Sequence, residues 1–285
     1  ESCESKNYTS NNGGGAVQSM ALHVRVEDSQ FISCTAMDQG GGLYQKLDSS
    51  DYASSSFYMK NCTFTDCVAA AGGGAETYSP NATVIDCSFI RCSAEDRDLA
   101  EPYINGSGET VTKIDGRNAG GLNIYSNDTA ASDTASSATV TGCTFTNCSA
   151  ARYGGGLRSS AKENTIENCT FTSCSSNGGV WESVGGAIAL SNSTATVDSL
   201  VENCHIYDCT ARRGGGIYTD APLIADGITI DGCVADAEDP SKSIMNAEYG
   251  GGIYTTVSLT IRNSSVIQNC TASDSSDGYG GGVYI

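Results

Sequence analysis

The chain is poor in the residues on which metal sites, acid–base catalysis and nucleic-acid binding draw. It has two histidines, one tryptophan, four prolines and only 15 Lys plus Arg against 33 Asp plus Glu in 285 residues, for a net charge of −18. Two isolated histidines, His23 and His205, do not build a closed zinc cluster and leave little to act as a general base near neutral pH. The deficit of positive charge argues against nucleic acid or an anionic membrane surface as a partner. No apolar run approaches the ~18 residues of a membrane-spanning helix, so no membrane insertion is expected. No acidic segment has the spacing of a calcium-binding loop, and no metal or cofactor is expected.

What is abundant is glycine, with 34 residues, and cysteine, with 14. Both recur in one pattern, seen in full at Val201–Tyr218 (VENCHIYDCTARRGGGIY) and nine times along the chain in variant form. One column of it holds Phe31, Phe64, Phe89, Phe145, Phe171, Ile206, Ile230 and Ile267, and so takes five of the six phenylalanines. After the glycines comes an apolar column: Ala16, Leu43, Ala75, Leu122, Leu157, Ile188, Ile217, Ile253 and Val283. The next residue is mixed, as on a strand whose alternate side chains point outward. Three before the Phe column stand Asp28, Asn61, Asp86, Gly142, Asn168, Asn203, Gly227 and Ser264; two after it stand Ser33, Asp66, Arg91, Asn147, Ser173, Asp208, Gly232 and Asn269. Both are small or polar columns dominated by residues that tolerate a left-handed bend, so each predicts a corner.

The unit is therefore strand, corner, strand, corner, variable loop, strand. Repeated every 24 to 37 residues apart from one larger insertion, it is too small to bury a core alone and must stack. The expected fold is all-β, a single-stranded parallel β-helix of about nine three-sided rungs forming one domain over 1–285. A long insertion at 93–119, read as a lateral loop or small hairpin, and a low-complexity loop at 126–138 interrupt it. Handedness does not follow from the columns, although parallel crossovers are generally right-handed.

The Gly185-Gly186-Ala187-Ile188 element and the steps FISC, FTDC, FIRC, FTNC and FTSC resemble the GGAI and FxxN elements of polymorphic outer-membrane-protein repeats, of the pectin-lyase-like β-helix class. Cysteine replaces the asparagine of that motif, and GGG is commoner than GGA. The resemblance spans essentially the whole chain and implies a right-handed β-helix outside a cell. It carries no catalytic residue over.

Five rungs contain Cys-x4-Cys: Cys62/Cys67, Cys87/Cys92, Cys143/Cys148, Cys169/Cys174 and Cys204/Cys209. The remaining Cys3, Cys34, Cys233 and Cys270 align with the second cysteine. The expectation is seven disulfides, five within rungs and two between stacked rungs, Cys3–Cys34 and Cys233–Cys270. A staggered alternative joins each second cysteine to the first of the next rung, beginning Cys34–Cys62. A further alternative leaves all the cysteines as buried thiols. Disulfides imply an oxidising, extracellular or cell-surface location. Ten Asn-x-Ser/Thr sequons agree, at Asn7, Asn61, Asn81, Asn105, Asn127, Asn147, Asn168, Asn192, Asn263 and Asn269, and predict covalent N-glycans. Asn61, Asn147, Asn168 and Asn269 have a second explanation, since asparagine suits the corners.

An enzyme is not expected. There is no Asp-Asp, Gly-His-Gly or Arg-x-Lys element of the pectin-degrading hydrolases, and Arg212-Arg213, which imitates a lyase base, is read as a solvated corner. Thr63/Thr65, Thr144/Thr146 and Thr170/Thr172 imitate an ice-binding ladder, but His205 and Tyr207 interrupt it. The tyrosine column Tyr44, Tyr218, Tyr254 and Tyr284 reads as a stacked surface ladder. Neither end of the sequence carries a polar cap. The functional expectation is a structural subunit of an extracellular glycoprotein filament or appendage, joined head to tail with copies of itself. A fragment of a long adhesin, whose rung-four insertion binds a partner, is the alternative, with a polysaccharide lyase or hydrolase and an ice-binding protein ranked below.

Overall fold

The computed structural model describes residues 14–47, 52–95, 97–104, 110–114, 118–126, 136–177, 183–236, 248–273 and 278–285. The chain winds as a parallel β-helix. Sheet 1 collects the eight strands before the first corner, from His23–Glu27 to Leu259–Arg262, and sheet 2 the eight Phe-column strands, from Gln30–Ile32 to Val266–Gln268. Sheet 4 collects nine strands that follow the glycines, from Val17–Ser19 to Val283–Tyr284. Between sheets 2 and 4 runs sheet 3, seven two-residue strands such as Val68–Ala69 and Thr210–Ala211. This fourth face is absent from the sequence reading, because two residues leave no alternation to detect. Among the described residues no helix is long and apolar enough to cross a membrane.

Every pairing within these four sheets is parallel and in register, so like columns stack. The Phe column forms one buried file, with successive ring centroids 4.5 to 4.9 Å apart and planes within 7° from Phe31 through Phe171, continued by Ile206 and Ile230. Around it pack Met59, Val84, Val140, Ile166 and Val201 of sheet 1 and Leu43, Leu122, Leu157, Ile188 and Ile217 of sheet 4. Both corners are left-handed as expected: φ is +49° to +54° at Asp28, Asn61, Asp86, Asn168 and Asn203, and +51° to +53° at Ser33, Asp66, Arg91, Asn147, Ser173, Asp208 and Asn269. Their side chains join neighbouring rungs. Asn61 Nδ2 donates to Asp28 Oδ1 at 2.6 Å, and Arg91 grips Asp66 through two bonds of 2.7 and 2.8 Å.

Two column assignments shift by one residue. Val17, not Ala16, pairs with Leu43, so Ala16 takes the third glycine position, as Ala187 does in GGAI. In the last rung Asp226 pairs with Arg262, which places Asn263 at the corner and leaves Ser264 as an extra left-handed residue. The insertion expected at 93–119 contains an antiparallel hairpin, Arg97–Ile104 with Thr110–Ile114. The low-complexity loop ends slightly earlier than expected, because a sheet 1 strand starts at Ser137.

Candidate functional site

The outward column of sheet 4 holds the largest concentration of buried polar chemistry. Tyr44, Glu76, Asn123 and Arg158 follow one another in register on successive rungs. Polar side chains on a sheet face ordinarily meet water, but Tyr44, Glu76 and Asn123 are buried. Glu76 is only 1% exposed, and its Oε1 accepts from Asn123 Nδ2 at 2.9 Å. Asn123 Oδ1 in turn accepts from Arg158 Nη1 at 3.3 Å. The Arg158 guanidinium lies 5.7 Å from the Tyr125 ring centre and 5.5 Å from that of Tyr153, where cation–π attraction offsets part of its desolvation.

Beside this file opens a pocket of about 270 Å³ lined by Tyr125, Arg158, Ser160, Ser191, Asn192 and Asp220 among others. Arg158 Nε, Ser191 Oγ and Asp220 Oδ1 are buried there without a hydrogen-bond partner among the described residues, a costly state unless a ligand or water supplies one. Burial draws the Arg158 pKa down and pushes that of Asp220 up. The lining is a set of hydrogen-bond donors and acceptors of the kind that pairs with hydroxyl groups. Sequence reasoning missed it, because the outward column looks like ordinary solvated surface until the rungs are stacked. The one available signal is the succession Glu76, Asn123, Arg158 in a column that is otherwise largely tyrosine and alanine.

Glu76 makes stability depend on pH. Burial pushes its carboxyl up to about 8, with the nearby Asp38 charge adding and the Asn123 donor opposing. The native state then holds a proton that the unfolded chain releases from about 4.5, its ordinary value. The resulting stability is full below about 4.5 and is lost as pH rises through about 8. Urea midpoints measured at pH 5 and pH 8.5 are expected to fall with pH in the native chain. The Glu76→Gln variant is expected to lose most of that slope.

The tyrosine ladder is partly as expected. Tyr218, Tyr254 and Tyr284 stack with centroids 5.4 to 5.5 Å apart and planes within 5°, presenting ring edges rather than a flat platform. Tyr44, by contrast, is buried edge-on against Tyr78. Arg212-Arg213 is not a solvated corner. Arg212 is 6% exposed, with its backbone N–H on Ser183 Oγ, and the Arg213 guanidinium lies 5.9 Å from both the Tyr249 and Tyr254 ring centres. His23 is exposed and bonded to Ser56 Oγ, and His205 is exposed beside Tyr207.

The described cysteines are thiols in two columns, buried except for half-buried Cys270. The first contains Cys62, Cys87, Cys143, Cys169 and Cys204; the second contains Cys34, Cys67, Cys92, Cys148, Cys174, Cys209, Cys233 and Cys270. Cys3 lies outside the described residues. The five within-rung pairs are corrected. Between Cys62 and Cys67 run the strand Thr63–Thr65 and the Asp66 corner, a span of ~13 Å at the rise of an extended chain, beyond the reach of a disulfide. The same geometry holds in the other four Cys-x4-Cys rungs. Burial pushes the thiols of Cys92, Cys148, Cys174 and Cys209 up, which keeps them neutral and slow to react. Among the described residues no three His, Cys, Asp or Glu are grouped to hold a metal ion.

Of the sequon asparagines, Asn7, Asn105 and Asn127 lie outside the described residues. Asn61, Asn147, Asn168, Asn263 and Asn269 are left-handed corner residues, so the bend alone accounts for them, and Asn263 joins the four for which the sequence raised that explanation. Asn61, Asn263 and Asn269 also commit Nδ2 to an aspartate of the preceding rung. Asn81 is exposed at the start of a strand. Asn192 lines the pocket, its Nδ2 donating to the Ser160 carbonyl at 2.8 Å.

The ends of the helix differ from its middle. Ile267 and Val283 occupy columns in which Ile230 and Ile253 are wholly buried, yet both are half-exposed. Around them Ile261 and Val266 are each 42% exposed and Ile285 is 73% exposed. At the other end Val17, Met20 and Ile32 are 41%, 62% and 46% exposed.

Residues 102–285 match the family described as right handed beta helix region. Comparison with curated proteins and with solved structures returned no match. With well over half of the chain inside the family match and parallel strands stacked rung upon rung, the chain belongs to the right-handed β-helix family.

Proposed function

We propose that the chain is a structural, non-enzymatic element of an extracellular N-glycosylated filament or surface appendage, in which copies stack head to tail so that the end rung of one is covered by the first rung of the next. The observation that carries this is the register: in all four sheets like columns stack from rung to rung, and such a stack can be extended by pairing at its strand edges. In-register stacking adds rungs without a new contact type, because every rung already presents the same columns to the next. The GGAI and Phe-x-x-Cys elements support kinship with surface-exposed repeats, and exposed Asn81, which has no corner to serve, supports glycosylation.

Electron microscopy of the native material tests the reading. Nine rungs at ~4.8 Å predict an axial repeat of roughly 40 to 45 Å, with lateral glycan density. Isolated particles at all concentrations would refute it. The lateral pocket, with its three orphaned polar atoms, favours one second reading, an adhesin whose β-helix continues covalently and whose side face holds a hydroxyl-bearing ligand. A long rod without a subunit repeat is its signature.

A further inference from the structure

Each cysteine column places one sulfur per rung on a straight axial file. Cys62 and Cys87 are held between the in-register pairs Lys60↔Ile85 and Thr63↔Ser88. Cys143 and Cys169 are held between Thr141↔Glu167 and Thr144↔Thr170. Adjacent strands lie ~4.8 Å apart, within the Cα separation that a disulfide spans, and in-register side chains point the same way. The sulfurs already meet the neighbouring rung: Cys87 Sγ accepts the Cys62 N–H, Cys143 Sγ the Cys87 N–H and Cys209 Sγ the Cys174 N–H, each at 3.4 Å. The second column has the same ladder on both sides, for example Thr65↔Ile90 before Cys67 and Cys92 and Val68↔Ser93 after them.

We propose that these columns are axial disulfide ladders: in an oxidising medium each bond joins neighbours in one column, on successive rungs, and none joins two cysteines of one rung. The inference rests on the extracellular reading for its oxidant, a small disulfide of the glutathione class. A column thiolate attacks one sulfur of that oxidant, its S–S bond breaks, and the first glutathione leaves as a thiol after taking up a proton. The neighbouring column cysteine, deprotonated, then attacks the protein sulfur of the mixed disulfide. The Cys–Cys bond forms and the second glutathione departs. The two protons lost by the column cysteines end on the two departing glutathiones, and two electrons reduce one oxidant to two thiols. Burial slows the first attack, so the bonds form as rungs lay down or where an end rung opens, and half-buried Cys270 is the accessible entry to the second column. The described columns of five and eight hold at most two and four such bonds.

This pairing serves the rod differently from a within-rung staple. A bond inside a rung constrains only a corner, whereas an axial bond ties together two turns of the solenoid that are otherwise held by short parallel strands. It also resists the failure mode of a stacked solenoid, separation between rungs.

The test is non-reducing peptide mapping of the secreted chain after alkylation of free thiols, repeated after exposure to glutathione disulfide. Crosslinks are expected only between column neighbours, such as Cys62–Cys87, Cys143–Cys169, Cys174–Cys209 and Cys233–Cys270. A Cys62–Cys67 or Cys34–Cys62 link, or cysteines that stay wholly alkylatable after the oxidant, overturns the proposal. In the Cys87→Ser variant Cys62 loses its sole described column neighbour and is expected to be alkylated in every molecule, while Cys92 stays crosslinked. Release of Cys92 instead would show within-rung pairing and refute the ladder. Should that variant fail to fold, the native map decides alone. Rods with all thiols free would refute the ladders but not the structural role, and single particles with axial crosslinks would do the reverse.

Discussion

Replacing Phe145 by alanine is expected to destabilise the chain by about 4 kcal/mol, within the range for a buried aromatic in a close-packed core. Phe145 is wholly buried, with Phe89 stacked at 4.8 Å on one side and Phe171 at 4.6 Å on the other. A compact globule can relax around such a gap. This core is one residue thick at the Phe file, and each ring is held by strands in fixed register, so the cavity has little to collapse it. The loss also falls on coupling between rungs, which is where a solenoid keeps its cooperativity. Urea unfolding is therefore expected to show an earlier, broadened transition, with the rungs on either side of position 145 no longer melting together. Phe31→Ala is the comparison. Phe31 lies at the edge of the file with one ring neighbour and is 7% exposed, so its loss is expected to cost roughly half as much. Equal costs would mean that the file is not the continuous element its geometry indicates.

Much of this architecture was legible because each rung is a copy of the next. A residue that keeps its character at one offset through divergent neighbours reports a position in the stack, and the Phe file and both left-handed corners were found in this way. Errors arose where the stack itself decides. Ala16 and Ser264 were placed one residue out of register, since spacing from a glycine or a phenylalanine does not see the partner strand that fixes pairing. Cys62 and Cys67 are close in sequence and remote in space, while Cys62 and Cys87 are the opposite. Sequence proximity favoured the wrong pair because an extended strand spends its residues on distance. The pocket beside Arg158 was illegible for another reason. Its column points outward, but outward does not mean solvated, and the lining residues Tyr125, Ser160 and Ser191, which directly follow successive sheet 4 strands, and Asn192 announce no pocket until the rungs are stacked.

Gly155→Ala and Gly281→Ala, at the middle glycine of two triplets, are expected to separate the requirements of folding from those of assembly. A Cβ at Gly155 would fall within contact distance of the Gly186 carbonyl oxygen and 2.5 Å from both the backbone nitrogen and oxygen of Ser175. All three belong to the next rung, and none is a side chain that can swing away. Accommodating the methyl group means prising two rungs apart at their closest approach, a cost of about 3 kcal/mol at the upper end of overpacking, and the urea midpoint is expected to fall accordingly. At Gly281, the same position of the last triplet, the nearest heavy atom to such a Cβ is the Cys270 carbonyl oxygen at 3.0 Å, in its own rung, so the isolated chain is expected to fold with little loss of stability. If another rung stacks on the final one in register, Gly281 acquires the backbone neighbours that Gly155 has. Gly281→Ala would then abolish or shorten filaments while leaving the melting of the single chain nearly untouched. Filaments of native length from that variant would mean that the final rung is not covered in the way the core rungs cover one another, and head-to-tail stacking would have to be abandoned.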